Sequence, residues 1–342
     1  MKASDLSHFR CPACAVGELN IGSPAVAVAT GDLREATLHC GACGAGYATR
    51  DGIPRFVSSE NYAASFGYQW NKHQQTQLDS CSGMSLSSDR LFSVSGWPER
   101  MEGSRILEAG SGAGRFTEVL LKTGAEVYSF DYSSAVDANR QNNGTHQNLH
   151  LFQGDIFKIP LAPASFDKVI CLGVLQHTPD PELAFQSLAR FVRPGGELVV
   201  DVYRNNLASL LHWKYVLRPL TRRMDQQRLY QVIERVVPPL IPVSSFLRDR
   251  FGRAGMRLIP ILQFAHWGLP PELNSKWAIL DTFDMYSPAH DHPQSLKTVR
   301  AWYSRAGFAQ TTVKPGPNGI VAKGVRARPG SPGKAPSQSK RY

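Results

Sequence analysis

Two groups of residues in this 342-residue sequence have types and spacings that could do chemistry. One is a set of four cysteines in two knuckles, CPAC (Cys11, Cys14) and CGAC (Cys40, Cys43), with 25 residues between them. Each C-x-x-C brings two thiolates to one ion, and two knuckles complete a closed tetrahedral site, which predicts structural zinc. The other is ILEAGSGAGRF, Ile106 to Phe116, in which an apolar strand runs into a glycine-rich turn and an amphipathic segment. Its glycines read G-x-G-x-G, whereas a dinucleotide loop wants G-x-G-x-x-G, and Arg115 stands where that last glycine would be. A bulky arginine there fits badly beside a pyrophosphate, where helix and strand pack closely. Glu108, two residues before the first glycine, would repel a phosphate but suits a ligand carrying an ammonium and a sulfonium. The loop therefore leans toward S-adenosylmethionine rather than a nicotinamide or flavin.

Stretches that must position these residues follow at regular intervals. AEVYSFDYS reads as a second strand ending at Asp131, 21 residues after Gly110, where a carboxylate can accept both ribose hydroxyls. LHLFQGDIF reads as a third strand followed by Asp155, placed to accept from an adenine amino group. SFDKVICLGVLQHTPDP supplies a fourth strand and a loop, PELAFQSLARFV an amphipathic helix, and RPGGELVVDVY a turn and fifth strand. Strands alternating with helices predict an α/β parallel sheet with helices on both faces.

The motifs LEAGSGAG, FDYS, GDIFKIP, FDKVICLGVLQHTPDP and RPGGELVV together resemble the class I S-adenosylmethionine-dependent methyltransferases. The resemblance covers about 105–203 and resumes at SLKTVRAWYSRAGFAQTTVKPGPNGIVAKG, implying a Rossmann-like seven-stranded sheet. Carried onto this sequence, it implies that Glu108, Gly110 and Gly112 line the methionine end of the cofactor. Asp131 would bind ribose, Asp155 and Ile156 the adenine, and Leu172 and Gln176 would face the methyl group. The first 57 residues, with LHCGACGAGYATRDGIPRFV, resemble the small zinc-ribbon proteins that bind and activate tRNA methyltransferases.

Methyl transfer from a sulfonium needs an aligned nucleophile, and a general base only where the acceptor is a weak acid such as a hydroxyl. His177, in LQHTPDP, is one candidate base, because ligands bind at the C-terminal edge of such a sheet. His290 is the other, in FDMYSPAHDHP, where Asp284, Tyr286, His290, Asp291 and His292 crowd together. That crowd reads either as part of a substrate site or as a loop whose Asp291 or His292 caps a helix starting near Pro293.

Charge sharpens the organisation. Of the net +10, the tail 323–342 holds +6 and the segment 204–257 holds +8, leaving the rest at −4. A uniformly basic nucleic-acid binder would not look like that. The expected organisation is a ribbon at 1–57, a linker with cofactor-covering helices at 58–100, and a methyltransferase domain at 101–322. Within that domain, 204–260 is a helical substrate insertion, and 323–342 is a Pro/Gly/Ser-rich disordered tail. The start, MKASDLSHFR, has no apolar signal stretch, so a cytoplasmic chain with reduced thiols is expected.

The acceptor expected is a small molecule, sugar or glycolipid, anionic in view of the arginines, with peripheral contact at a membrane surface. Transfer to RNA, gripped by ribbon and insertion, is the runner-up. The loop CLGVLQHTPDP counts against it, lacking the Asn/Asp-Pro-Pro-Tyr/Phe of amino-directed nucleic-acid methyltransferases. A non-catalytic S-adenosylmethionine-binding protein is the third reading, against which Glu108, Asp131 and Asp155 speak.

Overall fold

The computed structural model describes residues 3–27, 33–58, 61–205 and 213–328. At its centre five strands run parallel: β5 (Arg105–Ala109), β6 (Glu126–Asp131), β7 (Leu149–Gln153), β8 (Phe166–Leu172) and β9 (Val192–Val202). An antiparallel pair, β10 (Phe308–Gly316) and β11 (Gly319–Arg326), completes the far side through β11 against β9. These strands are apolar on both faces because helices cover both. One face carries α4 (Arg115–Lys122) and α5 (Ala135–Asn143); α6 (Pro181–Ala189) and α10 (Leu296–Arg305) pack among themselves and the sheet. Ser295 caps α10 by accepting from the Thr298 N–H at 3.0 Å, so neither Asp291 nor His292 is the cap.

The ribbon strands are β1 (Leu19–Ala27), β2 (Leu33–Cys40), β3 (Gly46–Arg50) and β4 (Ile53–Arg55), joined antiparallel in chain order. The expected seven strands are present, but β4 also pairs parallel with β7 at Arg55 and Gln153. One sheet of eleven strands results, in the order β1-β2-β3-β4-β7-β6-β5-β8-β9-β11-β10. Arg55 reaches the Asp137 carboxylate on α5, and Phe9 and Phe56 pack on Phe152, so the ribbon shares the main core.

Between ribbon and sheet lie α1 (Ala64–Lys72), α2 (Asp79–Ser82) and α3 (Leu86–Ser95). After β9 the insertion forms α7 (Trp213–Thr221) and α8 (Gln226–Met256), with a break at Gly252, and is followed by α9 (Pro271–Tyr286). Leu229, Ile233 and Val237 of α8 bury themselves against Ile279 and Phe283 of α9 in a separate apolar cluster. Tyr68 of α1 joins that cluster. Part of the insertion, 206–212, lies outside the described residues, as does 329–342 of the expected tail. Residues 323–326, expected within that tail, belong instead to β11, where GIVAKGVR pairs with β9. No helix among the described residues is long and apolar enough to cross a membrane.

Candidate active site and metal centre

Strand order reverses between β5 and β8, and open α/β sheets bind ligands above such a point, at the carboxyl ends of the strands. A cavity of about 1010 Å³ lies there, at the upper end of the roughly 300–1,000 Å³ usual for a small-molecule site. Its floor is the β5–α4 loop. Gly110 and Gly114 have φ of +76° and +88°, which side chains rarely adopt. A Cβ on Gly110 would come 2.2 Å from Val174, and one on Gly114 2.2 Å from Asn139. The third glycine thus starts α4 in a left-handed cap where only glycine fits. Arg115, the residue that argued against a pyrophosphate here, lines the cavity and donates to the side-chain amide oxygen of Gln77.

Asp131 ends β6 on the cavity wall. Its carboxylate accepts from the Gly112 N–H at 2.9 Å and from the Ser133 N–H and hydroxyl at 2.8 and 2.6 Å. Burial pushes its pKa up, and those three donors oppose the shift. Gly110, Gly112, Ile156 and Leu172 share the wall. Asp155 stands just behind it: its Oδ1 accepts the Phe157 N–H at 2.9 Å. Its charge, after burial, raises the phenols of Tyr62 and Tyr132, which do line the cavity with rings 4.8 Å apart.

Two expected cofactor residues are elsewhere. Glu108 shares its strand face with Ile106, toward α4 rather than the cavity. Its Oε2 accepts from Thr117 at 2.5 Å and Ser129 at 2.7 Å, and burial lifts its pKa to about 7. Gln176 is fully buried in the short turn after β8 and is turned off the wall, while its neighbour His177 is on it.

The roof and far wall come from α1 and α9. Phe66, Gln69 and Trp70 line the cavity from α1, whereas Tyr68 and Lys72 pack on Tyr230. From α9 come Trp277, Asp281 and Asp284, at spacings of four and three, one face of a helix. Burial lifts the Asp281 carboxyl to about 7 and also raises Asp284. Sequence reasoning missed Asp281 and Gln77 and gave Arg115 no place on the wall, although the helical spacing of the α9 residues was a usable signal.

His177 sits between the rings of Phe66 and Tyr203, and burial lowers its pKa. Its Nδ1 lies 3.0 Å from the His290 carbonyl oxygen. A carbonyl only accepts, so Nδ1 carries the hydrogen in the neutral ring and Nε2 keeps a lone pair. Nε2 has no hydrogen-bond partner among the described residues. The His290 ring itself is off the wall, packed on His292 and Tyr62, so His290 contributes its backbone. Asp291 is buried against Lys214 and Arg218 at 2.9 and 2.7 Å.

Residues 107–200 match the family model described as "Methyltransferase domain". That stretch is a methyltransferase domain of the class I fold. Its cofactor is S-adenosylmethionine, and the cavity fits it, with a buried carboxylate at the end of β6 and a floor left open by glycines. An uncharacterized protein of Synechococcus sp. is 26% identical over 250 residues, 71% of this chain and 53% of that one. The ubiquinone biosynthesis O-methyltransferase of Alkalilimnicola ehrlichii is 33% identical over 129 residues, 36% of this chain and 52% of that one. The chain spans about half the length of these relatives. A chain of the complex between the Haloferax volcanii Trm112 methyltransferase activator and a methyltransferase superposes on 80% of this chain and 100% of its own length. The TM-score is 0.43 and the identity 13%.

The four ribbon sulfurs lie within 4.8 Å of one another. Cys11 to Cys43 and Cys14 to Cys40 are each 3.7 Å apart, too far for disulfides. Zinc–thiolate bonds of about 2.3 Å give a tetrahedron with edges of about 3.8 Å, so the cluster fits one zinc ion. Backbone N–H groups of Gly17 and Cys43 point at the sulfurs of Cys14 and Cys40, as suits thiolates. Four thiolates leave no open position, which makes the site structural. A second group, His8, Glu126 and His150, is tied up internally: Tyr128 bonds His8 at 2.7 Å and Arg105 holds Glu126 at 3.1 Å. It latches the N-terminal turn to the sheet.

Proposed function

We propose that the protein is an S-adenosylmethionine-dependent methyltransferase acting on a hydroxyl of a small-molecule, sugar or lipid acceptor. The observation that carries this reading is the state of His177: Nδ1–H held by a backbone carbonyl and Nε2 without a partner, on the cavity wall. A base is needed only for a weakly acidic acceptor, and a histidine kept neutral by burial is suited to take that proton. The ubiquinone biosynthesis O-methyltransferase relative supports oxygen as the acceptor atom.

S-adenosylmethionine, when bound, supplies the methyl group. Asp131, Gly110, Gly112, Ile156 and Leu172 would hold it, with Tyr62 and Tyr132 beside it and Asp155 just behind them. On the far wall, Asp281 and Asp284 orient the acceptor by hydrogen bonds to its other polar groups, Asp281 being able to donate in the fraction that holds its proton, since burial lifts its carboxyl to about 7. The α1 roof excludes water, and His177 Nε2 takes the hydroxyl proton.

The deciding experiment is isotopic methyl transfer from labelled cofactor into fractionated metabolites, lipids and RNA. Label on oxygen in the first two fractions supports the reading. Label in RNA supports the nucleic-acid alternative, and cofactor binding with no transfer supports a non-catalytic role.

A further inference from the structure

Fourteen large apolar side chains are exposed among the described residues, and eleven of them lie between Trp213 and Trp267. They are not scattered. On α8, Val232, Val236, Val243 and Phe246 recur at steps of four, seven and three, so at about 100° per residue they share one stripe. Phe246 is 67% exposed, and so is Leu220, one turn from Val216 on α7. The opposite stripe of α8 is already spent on α9. A contiguous outward apolar face of this kind marks an interaction surface.

Charge selects the partner. Residues 213–257 hold ten Lys/Arg against three Asp/Glu. The exposed Arg228, Arg235 and Arg250 flank the apolar stripe, Glu234 lies on the far side of the helix, and Asp249 is paired with Arg248. A second copy brought face to face would oppose cation to cation. An anionic bilayer complements both features: apolar side chains enter the acyl boundary while guanidinium groups meet lipid phosphates. The segment 213–267 supplies Lys214, Arg218, Arg257, Phe264 and Trp267 to the cavity wall, with Trp267 44% exposed.

We propose that α7 and α8 form a docking surface for an anionic membrane, which sets the cavity mouth at the lipid interface. Given the methyltransferase reading, on which this clause rests, the acceptor is a membrane-resident amphiphile. Its polar head enters toward His177, and its tail leaves past Phe264 and Trp267.

The test is flotation of the full chain with vesicles of phosphatidylcholine alone or mixed in equal parts with phosphatidylglycerol. The wild type is expected to bind the mixed vesicles at least about tenfold better, and less well as salt rises. Val236→Glu with Phe246→Glu should cut that binding about tenfold and leave S-adenosylhomocysteine affinity and thermal unfolding unchanged, since both side chains face solvent. No binding to the mixed vesicles, equal binding to neutral ones, or binding that the double variant retains overturns the docking. So does a concentration-dependent dimer abolished by the double variant, or retention on RNA without retention on vesicles. Vesicle binding by protein that methylates no acceptor supports the docking and counts against the activity.

Discussion

His177 gives its Nδ1 hydrogen to the main-chain oxygen of His290 at 3.0 Å, so the two histidines flagged by the sequence meet through one side chain and one backbone. Their substitution should therefore have unequal effects. His177→Ala should lower turnover on a hydroxyl acceptor by about 10²–10⁴-fold with cofactor affinity kept. His290→Ala retains the carbonyl and should cost little. Equal losses in kcat would remove His177 from the role of base.

Asp131 is held by three donors at the end of β6. Asp131→Ala leaves the Gly112 N–H without its acceptor and takes a carboxylate from the cofactor wall. S-adenosylhomocysteine affinity should fall at least about tenfold by calorimetry, the size expected for a lost charged hydrogen bond. Unchanged affinity would overturn the placement of the ribose. Glu108→Gln, behind the floor, should act on stability more than on binding.

Elemental analysis should give about one zinc per chain. Cys40→Ser should abolish it and lower the thermal midpoint by about 5 °C or more, because metal binding and ribbon folding share one free energy. A folded, metal-free ribbon in the wild type would contradict the site.

The Asp281 carboxyl lies at about 7 in the fold through burial, against about 3.9 in an open chain. Between these values the unfolded chain loses a proton that the folded one keeps, so stability declines as pH rises from about 4 to 7 and is flat above. Asp281→Asn removes that decline. Its gain in thermal midpoint should be about 3 °C larger at pH 8 than at pH 5. Equal gains would place the carboxyl in an ordinary state.

The core strands were legible because each is an apolar run closed by a glycine turn or an acidic residue, as at Asp131 and Asp155. Side-chain direction was less so. Glu108 sits two residues before the first wall glycine, Gly110, and Gln176 one residue before His177, and a period of two or three decides which neighbour faces inward. On α9 only Asp284 was legible, within FDMYSPAHDHP; Trp277 and Asp281 stayed hidden because they lie upstream of that cluster, at helical spacings of seven and three from Asp284. They meet β6 and the turn after β8 only through the fold. The ribbon was readable from its cysteines, while its union with the sheet was not, since a pairing as short as Arg55 with Gln153 leaves no pattern.

That short pairing has a bearing on solubility. In the seven core strands alone, β7 would end the sheet with a row of unmatched backbone donors and acceptors, a template for pairing with another chain. Arg55 and the Phe56 N–H, which reaches the Gln153 carbonyl at 2.9 Å, occupy the C-terminal end of that row. Chain shortened to the catalytic sheet would bare that end of β7 as well, and is expected to self-associate more readily than the full chain even where its cofactor site is whole.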